Sequence, residues 1–188
     1  MNGHVNLWVT DGTATGTSEL AVTGAYSGGL ASGHFTVLSN LPASSDFNND
    51  GRSDFLWQNS SGEADIWELN GTGKIASSSL GNPGSSWHAK STGDFNADGN
   101  ADILWQNSSG EAYIWEMNGT TQIGGGSLGN PGPSWHEVAT GDFNKDGYSD
   151  ILWQNSTGEV YIWELNGTTV IGKSFPERSK IMSRLKSG

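Results

Sequence analysis

Short apolar runs alternate with turn-forming clusters along this chain. Phe55-Leu56-Trp57, Ile103-Leu104-Trp105 and Ile151-Leu152-Trp153 each give way to Gln-Asn and then to a Ser/Thr-Gly pair. After each pair comes a second run: Ile66-Trp67-Glu68-Leu69, Ile114-Trp115-Glu116-Met117 and Ile162-Trp163-Glu164-Leu165. These runs are too short and too closely bounded by glycine for helices. Their aromatic and β-branched content predicts strands. No segment of this region carries a 3.6-residue apolar period.

The runs recur in strict register. Asp46-Phe47-Asn48 returns as Asp94-Phe95-Asn96 and as Asp142-Phe143-Asn144, a period of 48 residues. In the third unit the pattern predicts strands over 135–140, 150–154, 160–165 and 168–171. Ser156-Thr157-Gly158 and Asn166-Gly167 are the connecting turns, and Asn-Gly suits a type I′ hairpin. Four antiparallel strands at this repeat length describe a propeller blade, so the expected fold is all-β with three β-propeller-type blades. The blades fall at about 41–86, 87–134 and 135–172, flanked by an N-terminal β segment of another type (1–40) and a basic tail (173–188). The first unit lacks the Trp-His opening of the others, and His34–Ser39 is its candidate replacement. Three blades do not close a ring, because propellers use four to eight. A partial fourth blade from the N-terminal segment, a longer parent array and ring completion by a homo-oligomer all remain open.

Composition sharpens this picture. Among 188 residues there are 28 Gly, 9 Trp and no Cys, with a formal charge of −11. The missing cysteine excludes disulfides and thiolate metal sites. No apolar run is long enough to span a membrane as a helix. Met1-Asn2-Gly3-His4-Val5-Asn6 has neither a basic nor an apolar leader segment. Taken alone it suggests cytosolic residence, non-classical export or a start that is not the natural one. Five of the nine basic residues lie in the last sixteen, so residues 1–172 carry a formal −15. Such a body repels phosphate backbones, which argues against nucleic acid and in favour of cations.

The acids are focused. Three loops read Asp46-Phe-Asn48-Asn-Asp50-Gly-Arg52-Ser-Asp54, Asp94-Phe-Asn96-Ala-Asp98-Gly-Asn100-Ala-Asp102 and Asp142-Phe-Asn144-Lys-Asp146-Gly-Tyr148-Ser-Asp150. Side-chain oxygens stand at positions 1, 3, 5 and 9, and the glycine at 6 permits a sharp turn. The backbone carbonyls of Arg52, Asn100 and Tyr148 can add a fifth donor. A hard, all-oxygen shell of this kind suits Ca²⁺ better than Mg²⁺, with up to three ions per chain. Position 12 is a tryptophan rather than a bidentate Glu, so these are not EF-hands. Asp, Asn and Gly also make good turns without metal. Three copies in register weigh against that plainer account.

The pattern DFNxDGxxDILWQNxSGExxIWxMNG resembles the FG-GAP/VCBS repeat of bacterial surface and secreted proteins, which is related to the calcium-bearing blades of integrin α-subunit propellers. The resemblance covers about residues 46–172. It implies calcium ligands at Asp46, Asn48, Asp50 and Asp54, and at their equivalents in the other two loops. It also implies an extracellular or cell-surface location. Leu7-Trp8-Val9-Thr10-Asp11-Gly12-Thr13 and the residues after it resemble another repeat found beside this one in large exported proteins.

Other features have competing readings. The tryptophans recur as Trp57/Trp105/Trp153, Trp67/Trp115/Trp163 and Trp87/Trp135. They alternate with Ile and Leu inside strands, which favours packing between blades over sugar platforms. Trp87-His88 and Trp135-His136, beside the Gly/Pro linkers, are the candidates for an exposed ligand site. Two histidines 48 residues apart make a poor zinc set. Glu63/Glu111/Glu159 and Glu68/Glu116/Glu164 are copied in every unit, whereas catalysis needs one asymmetric arrangement, so no enzyme is expected. Asn59, Asn107 and Asn155 open Asn-X-Ser/Thr triplets, as do Asn70, Asn118 and Asn166, and all six sit at turns. The reading is a calcium-binding repeat module with a structural or adhesive role and a protein or glycan partner. The alternative is a propeller lectin with Trp-lined sites.

Overall fold

The computed structural model describes the backbone of residues 8–10 and 17–19 and the whole of 45–175. The His34–Ser39 segment and the tail from 176 onward lie outside the described residues. Near the N-terminus β1 (Trp8–Thr10) pairs antiparallel with β2 (Thr17–Glu19), Trp8 opposite Glu19. Every other described element is also a strand, and the described residues include no helix long and apolar enough to cross a membrane.

The first repeat supplies β3 (Phe55–Gln58), β4 (Ala64–Asn70) and β5 (Gly73–Gly81), a three-stranded sheet. The second supplies β6 (Trp87–Gly93), β7 (Asp102–Asn107), β8 (Ala112–Asn118) and β9 (Thr121–Gly129). The third supplies β10 (Trp135–Gly141), β11 (Asp150–Asn155), β12 (Val160–Asn166) and β13 (Thr169–Ser174). Each sheet is an antiparallel meander with its strands in chain order, the arrangement of a propeller blade, and none closes on itself.

The Asn-Gly turns depart from the type I′ expectation. Asn70 pairs with Gly73, Asn118 with Thr121 and Asn166 with Thr169, so each asparagine ends its strand. The two central residues are Gly-Thr, and only the glycine has positive φ, at +62°, +59° and +61°. That is the type II′ pattern, which asks for Gly in the first central place alone.

The core lies between blades rather than within them. Phe47, Leu56, Ala64 and Ile66 of the first repeat pack against Ala101, Ile103, Trp105 and Met117 of the second. Phe95, Leu104, Ala112 and Ile114 of the second pack against Ile151, Trp153, Trp163 and Leu165 of the third. Strand alternation explains this arrangement. Along β7, Ile103 and Trp105 face the first blade while Leu104 faces the third, so β7 is buried from Asp102 to Gln106. Sandwiched strands of this kind lose the apolar/polar alternation of a one-sided sheet.

Hydrogen bonds repeat at the same junctions. Ala101 N–H donates to the Asp46 carbonyl at 2.8 Å, and Ser149 N–H donates to that of Asp94 at 2.7 Å. Gly119 and Gly167 N–H donate to the carbonyls of Phe47 and Phe95 at 2.7 and 3.0 Å. The amides of Gln58 and Gln106 reach the first strand of the following blade, donating to the carbonyls of Trp87 at 2.8 Å and Trp135 at 2.9 Å. Strands β6 and β10 lie side by side, tied by Thr140 Oγ1 donating to the Thr92 carbonyl at 2.7 Å.

Candidate metal centre

The three acidic loops share one internal geometry. Their fourth residues, Asn49, Ala97 and Lys145, adopt positive φ of 56°, 60° and 65°, and the sixth-position glycines follow at 82°, 89° and 93°. Left-handed residues on either side of position 5 curl the backbone so that its N–H groups point inward. The first Asp of each loop accepts on Oδ1 from the position 5 N–H, at 3.0, 3.1 and 3.1 Å. Its Oδ2 accepts from the glycine N–H, at 2.7, 2.9 and 3.1 Å. Asn48, Asn96 and Asn144 accept on Oδ1 from the same position 5 N–H. Asp50, Asp98 and Asp146 accept from the N–H of Arg52, Asn100 and Tyr148, at 2.9, 2.8 and 2.9 Å. Positions 1, 3 and 5 of each loop are thereby brought onto one coil of backbone.

The ninth-position aspartates behave differently. Asp54, Asp102 and Asp150 are buried. Their Oδ2 accepts from the N–H of Phe47, Phe95 and Phe143, at 2.9 Å in each case. Their Oδ1 accepts from the N–H of Leu69, Met117 and Leu165, on β4, β8 and β12 of the same blades, at 2.9, 2.8 and 2.9 Å. Each is a strap from the loop to a strand fifteen residues further on. Burial raises all three carboxyls above the ordinary range, that of Asp102 to about 7, against the lowering effect of their backbone donors. Burial also raises Asp94.

Among the described residues no set of three or more His, Asp or Glu side chains stands gathered as a metal cage. The loop oxygens here face backbone N–H groups. The donor chemistry nevertheless fits a hard cation, since a carboxylate oxygen that takes one N–H keeps a further lone pair. In the first loop the Arg52 guanidinium competes for Asp50 at 3.2 Å, an exposed pair of small energetic weight.

A family model described as FG-GAP-like repeat matches residues 46–105 and again 94–153. The chain belongs to the FG-GAP-like repeat family. The two matches overlap and together span more than half of the 188 residues. Each FG-GAP-like match runs from a loop aspartate to a tryptophan of the next blade, so the matched unit contains a blade junction. No curated protein and no solved structure matches the chain.

The remaining candidates are placed as follows. Trp87 and Trp135 are half-buried at the starts of β6 and β10, and His88 and His136 beside them are exposed. Trp87 lines a hollow of about 180 Å³ with Pro83, Trp105, Tyr113 and Trp115. Trp135 lines one of about 200 Å³ with Pro131, Trp153, Tyr161, Trp163 and Phe175. Neither histidine lines these hollows. Trp105, Trp153 and Trp163 are buried, as packing residues are. Asn59, Asn107 and Asn155 staple their own turns, each accepting on Oδ1 from backbone N–H groups two and four residues on. Two further junction residues are the phenylalanine of the Asp-Phe-Asn motif and the glutamine of Trp-Gln-Asn, neither of which stands out by chemical type in the sequence. Their recurrence every 48 residues was the available signal.

Proposed function

We propose that this chain is a non-catalytic, calcium-stabilised repeat module of an extracellular or surface protein, presenting rigid blades to a protein or glycan partner. The observation that carries the reading is the threefold recurrence of one loop geometry with oxygens at the same four positions. Asp46, Asn48, Asp50 and Asp54, and their equivalents, would hold the ion with the carbonyls of Arg52, Asn100 and Tyr148. The ion would supply charge neutralisation. The three aspartates of a loop repel one another, and a divalent cation in their midst offsets that repulsion. Because the same loops carry the blade junctions, fixing them stiffens the whole stack. The test is thermal melting in millimolar Ca²⁺ against chelator. A higher melting temperature with calcium supports the reading, and superimposable curves refute it.

A second reading is a lectin, favoured by the two aromatic hollows 48 residues apart. Flat apolar walls beside polar linkers suit sugar rings. Glycan-array binding that disappears in Trp87→Ala and Trp135→Ala would favour it over the purely structural module.

A further inference from the structure

Trp67, Trp115 and Trp163 occupy the same place in the three repeats, yet their surroundings differ. In the first blade the Lys74 ammonium stands over the Trp67 ring, 5.2 Å from its centroid. In the third the Lys173 ammonium stands over Trp163 at 4.0 Å. The chain itself shows which group this ring attracts: a cation, drawn by the negative face of the indole. The second blade has no such lysine. Gln122 stands where Lys74 does, 48 residues on, and Gly125 pairs with Trp115 as Lys173 pairs with Trp163. Among the described residues no ammonium or guanidinium is placed over Trp115.

Trp115 instead lines the hollow of about 180 Å³ that Trp87, Trp105 and Tyr113 also wall, with Pro83 at its side. The four rings come from β6, β7 and β8, where strand alternation puts them on one face of the sheet. They are set at angles rather than stacked. Trp105 and Trp115 are tilted by 55° with centroids 4.9 Å apart, and Trp87 meets Tyr113 edge-on at 82° and 6.3 Å. Rings at such angles enclose a rounded guest better than a flat one. The space is well below the roughly 300–1,000 Å³ of sites that enclose a drug-sized ligand, so it takes a head group rather than a whole molecule.

Chemistry narrows the guest further. The lining side chains offer ring faces, one phenol and indole N–H groups, with no amide, carboxylate or ammonium among them. A guest rich in hydroxyls would leave most of its hydrogen bonds unmade there. The formal charge of −11 draws cations towards the chain and repels anions.

We propose that the hollow walled by Trp87, Trp105, Tyr113 and Trp115 is an aromatic cage for a quaternary ammonium group, carried by a small soluble molecule or by a lipid headgroup. Such a group is round, positively charged and without N–H, so it asks for no hydrogen bond. The inference rests on the lectin reading only in treating this hollow as a site. It names a different ligand class and does not depend on calcium.

The test uses the full chain at fixed ionic strength and follows the methyl proton resonance of choline, which ring currents move upfield inside the cage. Choline should give a saturable shift. Its neutral analogue, with a tert-butyl group in place of trimethylammonium, should bind roughly tenfold more weakly, because it lacks the charge that the ring faces attract. N-acetylglucosamine should give no saturable shift. Tyr113→Leu removes one wall, and Gln122→Lys gives Trp115 the ammonium that Lys74 gives Trp67. Each should weaken choline binding roughly fivefold or more. Gln122 is exposed, and the first blade folds with lysine at that place, so this second variant keeps the fold. Co-sedimentation with phosphatidylcholine vesicles but not with phosphatidylglycerol vesicles identifies a lipid headgroup as the source; choline binding without it identifies a soluble ligand. No saturable choline shift, equal affinity for the neutral analogue, or choline affinity unchanged in both variants would overturn the proposal. Sugar binding without choline binding would overturn the cage and leave the lectin standing, and choline binding without sugar binding would do the reverse.

Discussion

Asp102 accepts the Met117 backbone N–H at 2.8 Å, joining an acidic loop to the third strand of its own blade across fifteen residues. The same carboxylate takes the N–H groups of Phe95 and Asn96 at 2.9 and 3.2 Å. The residue therefore anchors the loop to that strand. Asp102→Ala strands buried donors, each costing about 1–3 kcal/mol. The expected loss is about 3 kcal/mol, measured by urea denaturation in chelator. Asp102→Asn keeps one acceptor oxygen and should lose about half as much.

Equivalent phenylalanines should differ sharply in energetic weight. Phe95→Ala empties a packed socket and should cost about 3–5 kcal/mol. Phe143→Ala removes an exposed ring and should fall within about 0.5 kcal/mol of the parent. Urea denaturation measures both.

Metal stoichiometry should follow the loops one by one. Calorimetric titration of the parent chain should report three calcium sites, one for each Asp-rich loop of the sequence. Asp98→Ala should report two, with the other loops unaffected. An unchanged count in the variant would remove Asp98 from the ligand set.

Glu137 gives the fold a pH dependence outside the loops. Burial raises its carboxyl from 4.5 to about 7, and the Ser91 hydroxyl and the Lys90 ammonium only partly oppose the shift. The folded state then binds this proton more tightly than the unfolded chain does. The stabilising effect of the protonated form is full below the unfolded value near 4.5 and is lost as pH rises through about 7. Across that window the melting temperature of the parent should fall relative to that of Glu137→Gln. Parallel curves would refute the assignment.

Much of this architecture is written in one dimension. The 48-residue period, the short aromatic strands, the meander order and the acidic loops all follow from local rules, because turns and strand alternation act between neighbours in the chain. The expected and observed strands of the third unit differ only at their ends. The Asn-Gly pairs suggest I′ turns and form II′ turns, because Asn-Gly permits either placement and cross-strand register decides which residue takes positive φ. Family membership was legible for the same reason as the period, since the repeated motif carries both.

Long-range contact decided the rest. Phe47, Phe95 and Phe143 are identical in their motifs, yet two are sealed and one is exposed, because among the described residues the next blade packs only on the first two. Asp54, Asp102 and Asp150 look like simple loop ligands by spacing alone. Only the closing of a later strand onto the loop gives their second oxygen a backbone donor, and burial, with the neighbouring acids adding to it, raises their carboxyls. Packing and desolvation arise between residues far apart in the chain, so a periodic sequence writes the same residue three times and the tertiary structure gives each copy its own environment.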